Sequence, residues 1–378
     1  MAVVCEVSTP TEHPPSEIWH MQCTEKLVGV LKDYFIDNRS RLTFMASYLL
    51  ALIKTRSVNG TKLADAFTGR ATSESVYRRI QRFFAECSFC DNHLAAIVLS
   101  LAKKQEYQGR QGFILCIDRT LWQIGSIWIN ILMVSVVQGD TSYPLVWMFL
   151  PKRGNSSSAE RKALLERALT VLPKEQILCL TADREFIGHQ WFQWLRQSGI
   201  DFSCRIRANT TIRRSNRDVH ISTLFATLPL NTTLCCGRIN LMGCRLWVSG
   251  CRLEHDYCIV VSATLPDAKA LELYAKRWAI ETLFAALKSR GFNLEETHMT
   301  KTERLSTLVN FLAFAFVWAH RVGEWLAEQK PITLKKHGRK AKSTFRRGLD
   351  FLHKAAFNLH SRQSQDNLHE ALKILSCT

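Results

Sequence analysis

The sequence has no apolar run long enough to cross a membrane. Its longest, residues 127–137 and 311–319, fall well short of the roughly 20 residues a spanning helix needs, so no membrane partner is expected. The opening MAVVCEVSTPTEHPPSE lacks the basic start and long apolar middle of a secretory signal. It reads as a loose leader, and the expected location is the cytoplasm. Internal repeats and low-complexity stretches are also missing. No second CxxC or His pair accompanies Cys87-Ser-Phe-Cys90 and His93, so a zinc cluster there competes with plain helix-end packing of Phe83, Phe84 and Phe89. The thirteen cysteines are odd in number and sit in apolar contexts such as Cys116, Cys179 and Cys258. Without a signal peptide they read as reduced core residues, not as a disulfide framework.

Acidic charge is the other shortage. Thirty-three Asp and Glu face 50 Lys and Arg, a net charge of +17. That excess points to a polyanion, with nucleic acid the first candidate; a ribosome or a membrane surface fits the same balance. A chain of 378 residues has room for two or three domains.

From Cys23 to Cys90 the apolar spacing is helical throughout. Within Lys62 to Phe84 (KLADAFTGRATSESVYRRIQRFF) a short helix ends near Gly69 and a second starts after a Thr72 or Ser73 cap, with Arg78, Arg79 and Arg82 along it. A helix-turn-helix reading puts those arginines in a major groove; a helical hairpin with a solvated basic face is the alternative. A helix over Asn92–Gln105 leads to a basic link. Then come apolar runs at Phe113–Ile117, Trp128–Val137 and Tyr143–Leu150, a helix over Ser158–Leu172, a strand over Gln176–Thr181, a helix over Gly188–Gln197 and a strand over Asp201–Arg207 bearing Arg205 and Arg207. This order predicts a mixed α/β sheet. Residues 213–264 read as a β-rich insertion. Helices are expected again from Asp267, over Arg304–Ala327 and over Phe345–Leu375, with a basic run from Lys335 to Arg347 between the last two. The implied domains are 1–105, 106–212 with 265–300, the insertion 213–264, and 301–378.

The stretch Tyr274 to Lys288, YAKRWAIETLFAALK, organises the rest. As one continuous helix turning roughly 100° per residue, it gathers Tyr274, Arg277, Glu281 and Lys288 within a sector of about 60°, with Leu273, Ile280, Leu283, Phe284 and Leu287 on a largely opposite face for packing. Asp118 and Asp183 each follow an apolar strand closely, and with Glu281 they make three carboxylates that a helix packed on the sheet brings together. Hard divalent cations take such oxygen ligands, and paired ions of this kind serve phosphodiester chemistry. Arg277 and Lys288 are cations suited to phosphates beside them.

Tyr274-x2-Arg277-x3-Glu281-x6-Lys288 matches the Y-x2-R-x3-E-x6-K signature of the DDE transposases of insertion sequence family 4. Asp183-Arg184-Glu185-Phe186 resembles that family's second-aspartate segment and Asp118-Arg119-Thr120 its first. The resemblance implies a ribonuclease-H-like α/β fold with a helical N-terminal domain that binds DNA ends, a β-rich insertion before the last catalytic helix, and C-terminal helices. It implies two Mg²⁺ ions, with Mn²⁺ able to substitute, on Asp118, Asp183 and Glu281. Tyr274, Arg277 and Lys288 would contact phosphates, and an aromatic of the insertion, Trp247 or Tyr257, would stack on a flipped base. The expected partners are double-stranded DNA, as terminal inverted repeats and target, and a second copy in a synaptic homodimer; the expected location narrows to a bacterial nucleoid. Two alternatives stay open: a catalytically silent DNA-binding regulator, and a ribonuclease-H-like nuclease without strand transfer.

Overall fold

The computed structural model describes residues 16–87, 89, 91–265, 269–336, 338, 340–357 and 361–376. Among them the chain runs through helices α1 (Ser16–Tyr34), α2 (Arg39–Thr55), α3 (Gly60–Ala66), α4 (Ser73–Glu86) and α5 (Asp91–Leu101). Strands β1 (Gln105–Tyr107), β2 (Arg110–Ile124), β3 (Ile127–Gln138) and β4 (Thr141–Phe149) follow, then α6 (Ser158–Leu169), β5 (Ile177–Ala182), α7 (His189–Gln197) and β6 (Phe202–Ile206). Next come β7 (Thr211–Arg214), β8 (Arg217–His220), β9 (Thr233–Leu241), β10 (Cys244–Arg252) and β11 (Tyr257–Ser262). The helices α8 (Lys269–Ala275), α9 (Trp278–Leu287), α10 (Thr302–Gln329), α11 (Thr344–Phe357) and α12 (Arg362–Lys373) complete it.

Two compact units divide these elements: residues up to 82 together with those from 318 onward, and residues 83–317. The sequence boundaries had separated N-terminal from C-terminal helices. In the structure they share one core, because α1 and α2 pack on α12 and α11. Tyr34 donates its hydroxyl proton to the Leu375 carbonyl, and Trp318 Nε1 donates to Ala371 O at 2.8 Å. Side-chain oxygens start the helices: Asn38 accepts from Arg41 N, Asn59 from Thr61 N, and Thr72 Oγ1, one of the two caps expected there, from Ser75 N. The expected final helix over 345–375 is two helices, α11 and α12. Helix α10 is apolar and long enough to cross a membrane by length and composition, but 89% of its most apolar window is buried inside the fold.

In the second unit the described strands build a nine-stranded sheet in the order β4-β3-β2-β5-β6-β11-β10-β9, with β1 on β2. β2/β5 and β5/β6 are parallel and the other pairs antiparallel. All six residues of β5 are buried, as a central parallel strand covered on both faces requires. One face packs on Leu164, Leu165, Trp191, Phe192 and Leu195 of α6 and α7. The other receives α8 and α9: Ser203 Oγ donates to Ala270 O at 2.7 Å. Helix α6 opens with a capping box between Ser157 and Glu160.

Two readings are corrected here and a third is refined. Gln105 belongs to a strand, not to the end of a helix. Strand β2 runs 15 residues, well past Ile117, because antiparallel pairing to β3 continues through Ile124. The β-rich insertion extends the main sheet through β9–β11, since β11 pairs with β6, and only β7–β8 stands apart.

Close approach of α10 and α11 sets a test. A Cβ on Gly348 would collide with the Ala319 carbonyl oxygen and the Gly323 backbone, whereas one on Gly29 of α1 meets nothing within 4 Å. Gly348→Ala is expected to lower stability by about 1–3 kcal/mol or more, and Gly29→Ala to raise it by about 0.5–1 kcal/mol, read as melting temperatures.

Candidate active site

The site begins where a parallel strand pair ends. Pairing of β2 with β5 stops at Ile117 and Ala182. Asp118 is the next residue on β2, still paired to Met133 of β3, and Asp183 is the first residue beyond β5. Asp118 is thus a mid-strand acid on its antiparallel side and a strand-end acid on its parallel side. Alternation puts it on the face of Cys116, away from Leu115 and Ile117, which face the α6–α7 core.

Over that face lies the Tyr274–Lys288 stretch, which is not one helix. It breaks at Lys276-Arg277 into α8 and α9. Four bonds of the i→i−3 kind make the break, from Lys276, Arg277, Ala279 and Ile280 to Leu273, Tyr274, Lys276 and Arg277, a 3₁₀-like tightening. The Cys116 thiol reaches the Lys276 carbonyl at 3.6 Å, tying the break to β2.

The break brings Tyr274 and Arg277 side by side above the acids. Arg277 is 5% exposed. Its Nε donates to Tyr274 Oη at 3.2 Å and one terminal nitrogen to Asp118 Oδ2 at 3.4 Å. The other terminal nitrogen lies 2.7 Å from Glu281 Oε1. The Tyr274 hydroxyl donates to Asp183 Oδ1 at 3.3 Å. Three carboxylates distant in sequence therefore share one guanidinium, two directly and one through a phenol.

Burial pushes the Asp118 carboxyl up to about 6, against the pull of the Arg119 backbone N–H and of Arg277. Burial likewise pushes the Tyr274 phenol up to about 12. For Arg277 burial acts to lower the pKa, but Tyr274 and the hydrogen-bonded Glu281 more than offset it, and the guanidinium is held charged.

A second layer fixes the first. Arg119 Nε binds both oxygens of Glu185 at 2.7 Å, and its terminal nitrogen donates to Asn155 Oδ1 at 2.8 Å. The buried Arg161 donates to the carbonyls of Ser156 and Glu185. Each aspartate thus has a neighbour, Arg119 or Glu185, joined across the strand ends. The opposite charges placed just after each acid were the sequence signal for this pair.

The other expected residues lie as follows. Lys288 caps α9, 2.9 Å from Glu295, donating to Leu121 O and lying over the Trp122 ring. Arg205 is held by Asp256 and the Tyr257 carbonyl, and Arg207 is exposed just beyond β6. Trp247 is half-buried under the Arg238 guanidinium, 5.0 Å from its ring centroid, and Tyr257 is half-buried at the start of β11. Arg78, Arg79 and Arg82 are exposed on α4 in the other unit, Arg78 paired with Glu74 and Arg79 over the Phe44 ring. Cys90 of the zinc reading lies outside the described residues. Sequence reading missed Trp278. It opens α9 with 62% of its surface exposed, 5.3 Å from the Arg277 guanidinium, and a tryptophan beside the signature arginine was the available clue.

All-oxygen donors on three carboxylates suit a hard divalent cation, and Arg277 stands in for positive charge among them. Among the described residues no three acid, His or Cys side chains close directly to ion-holding distance, since the guanidinium lies between Asp118 and Glu281. A raised carboxyl has a stability consequence. An acid moved from 3.8 to about 6 on folding costs stability as pH rises through that window, because the folded state keeps the proton longer. Asp118→Asn is expected to raise the melting temperature of metal-free protein at pH 8, and the gain should vanish below pH 4. A gain independent of pH would contradict this.

The family model described as Transposase DDE domain matches residues 113–318, which spans the sheet from within β2 to β11, the three carboxylates and α8–α9. No curated protein matches the chain. The chain belongs to the DDE-domain transposases, and its function is that of a transposase acting on DNA.

Proposed function

We propose that this transposase cuts DNA at the ends of an insertion sequence and joins the freed ends to target DNA, with Asp118, Asp183 and Glu281 holding two Mg²⁺ ions for which Mn²⁺ can substitute. The observation that carries the reading is the convergence of those three acids on Arg277 and Tyr274. When bound, such ions activate an attacking oxygen and stabilise the leaving one. The assignment to insertion sequence family 4 rests on the Tyr274–Lys288 spacing.

The chain's own residues supply the rest. Arg277 presents the planar fork that matches a phosphate, and a DNA phosphate replacing Asp118 and Glu281 as its partner frees both acids. Tyr274 keeps its proton at neutral pH and orients Asp183. Lys288 reaches a phosphate by giving up Glu295, so its first task is to hold α9 against β2. Exposed Trp278 offers a flat face beside the acids on which an unpaired base stacks; Trp247 and Tyr257 lie farther into the sheet. Arg78, Arg79 and Arg82 add phosphate contacts from α4, and Arg207 from the end of β6. Two copies working on two terminal inverted repeats in the nucleoid complete the reading.

Asp183→Asn is expected to abolish metal-dependent cleavage of a duplex carrying the element's end while its binding changes little; equal loss of both would contradict the assignment. Wild-type protein should also join a pre-cleaved end to a plasmid. Cuts without joined product would identify a plain nuclease, and binding without cuts a silent regulator. Trp278→Ala should weaken binding to an end with unpaired terminal bases by roughly tenfold, from stacking worth about 1–3 kcal/mol, and leave fully paired duplex little affected.

A further inference from the structure

Away from the acids, β7 and β8 form a two-stranded ribbon outside the main sheet. Its pairs run from Thr211 with His220 to Arg214 with Arg217. Ser215 and Asn216 close it with φ of 48° and 60°, the left-handed pair of a tight hairpin turn. The base is anchored: Ile212 is 3% exposed and packs with Ile221 and Phe225, and Ile221 N donates to Thr210 O at 2.8 Å. The ribbon therefore stands on a fixed root beside β9.

Its tip is arginine. Arg213 pairs with Asp218 at 3.3 Å, both side chains more than 60% exposed. Arg214 and Arg217 stand directly opposite one another, both exposed, and among the described residues neither has an ion pair. Like charges directly opposite across a strand pair destabilise it, and an anion between them reverses the sign. Below the tip, Arg213, Arg214 and Arg238 line a pocket of about 710 Å³ with Leu234, Cys236 and Asn240. Arg238 is held in place on the Trp247 ring. Burial pushes the Cys236 thiol up to about 11, so it brings no negative charge to offset the arginines.

We propose that this ribbon and pocket bind duplex DNA, with Arg214, Arg217 and Arg238 on successive phosphates, as a contact surface separate from the cleavage site. A fixed row of cations fits a polyanion better than one small ion, and a two-stranded ribbon fits a major groove. Contacts of this kind fix position without reading sequence, so the surface serves target or flanking DNA as well as the element's end. The inference rests on the transposase reading but not on the metal assignment.

The test uses full-length Asp183→Asn protein without metal, so that binding is separated from chemistry. Arg214→Ala/Arg217→Ala is added, alone and with Arg238→Ala. Binding to a random-sequence duplex and to the terminal duplex is followed across salt concentrations. The slope of log affinity against log salt should fall by about 2 in the double and about 3 in the triple variant, near 0.9 per phosphate contact, on both DNAs. Removing the opposed charges should also raise the melting temperature of free protein, which reports that the fold survives. An unchanged slope on both duplexes overturns the proposal. So does stabilisation of the parent by millimolar inorganic phosphate, lost in the variants, with an unchanged duplex slope, since that marks a small-anion pocket only. If Asp183→Asn protein still cuts when metal is restored, the active-site reading fails while the ribbon result stands.

Discussion

One buried guanidinium holds the site together. Arg277 has almost no contact with solvent and spends its donors on Tyr274, Asp118 and Glu281. Paired charges in a dry interior are costly to bury, and a guanidinium stripped of all its partners is costlier still, because it is left uncompensated. The network therefore gives α8, α9 and the β2–β5 strand ends a single favourable arrangement. The tightened turn at Lys276-Arg277 lies inside this network.

The surrounding structure makes that arrangement rigid. Asp118 rides on a strand, Asp183 directly after one and Glu281 on a helix, and such elements position side chains more firmly than free loops do. Arg119–Glu185 joins the two strand ends, and Arg161 closes the loop behind them through backbone carbonyls. Asn130 holds the same loop from β3 through the carbonyls of Lys152 and Gly154. This second layer keeps Asp118 and Asp183 together at the strand ends.

Much of this was legible in the sequence, and the failures have physical causes. Spacing alone set Tyr274, Arg277 and Glu281 on one side, and strand patterning flagged Asp118 and Asp183. The helix break was invisible because a 3₁₀ turn alters the rotation of a few residues without changing the apolar pattern that packs α9. β2 looked short because Asp118, Arg119, Thr120 and Gln123 are polar, yet backbone pairing to β3 carries the strand on through Ile124. The ion pair of Lys288 with Glu295 left no trace in the spacing that selected Lys288. The union of N-terminal and C-terminal helices joins residues such as Tyr34 and Leu375, which no local pattern connects.

Asp118, Asp183 and Glu281 are proposed to hold their Mg²⁺ ions in common. The most direct measurement replaces Mg²⁺ by Fe²⁺ in the DNA-bound protein and generates hydroxyl radicals with ascorbate and peroxide, which cut the polypeptide beside the bound ion. Cuts near Asp118, near Asp183 and near Glu281, all suppressed by excess Mg²⁺, are the predicted result. Cuts beside only one of the three, or at an unrelated position, would contradict it.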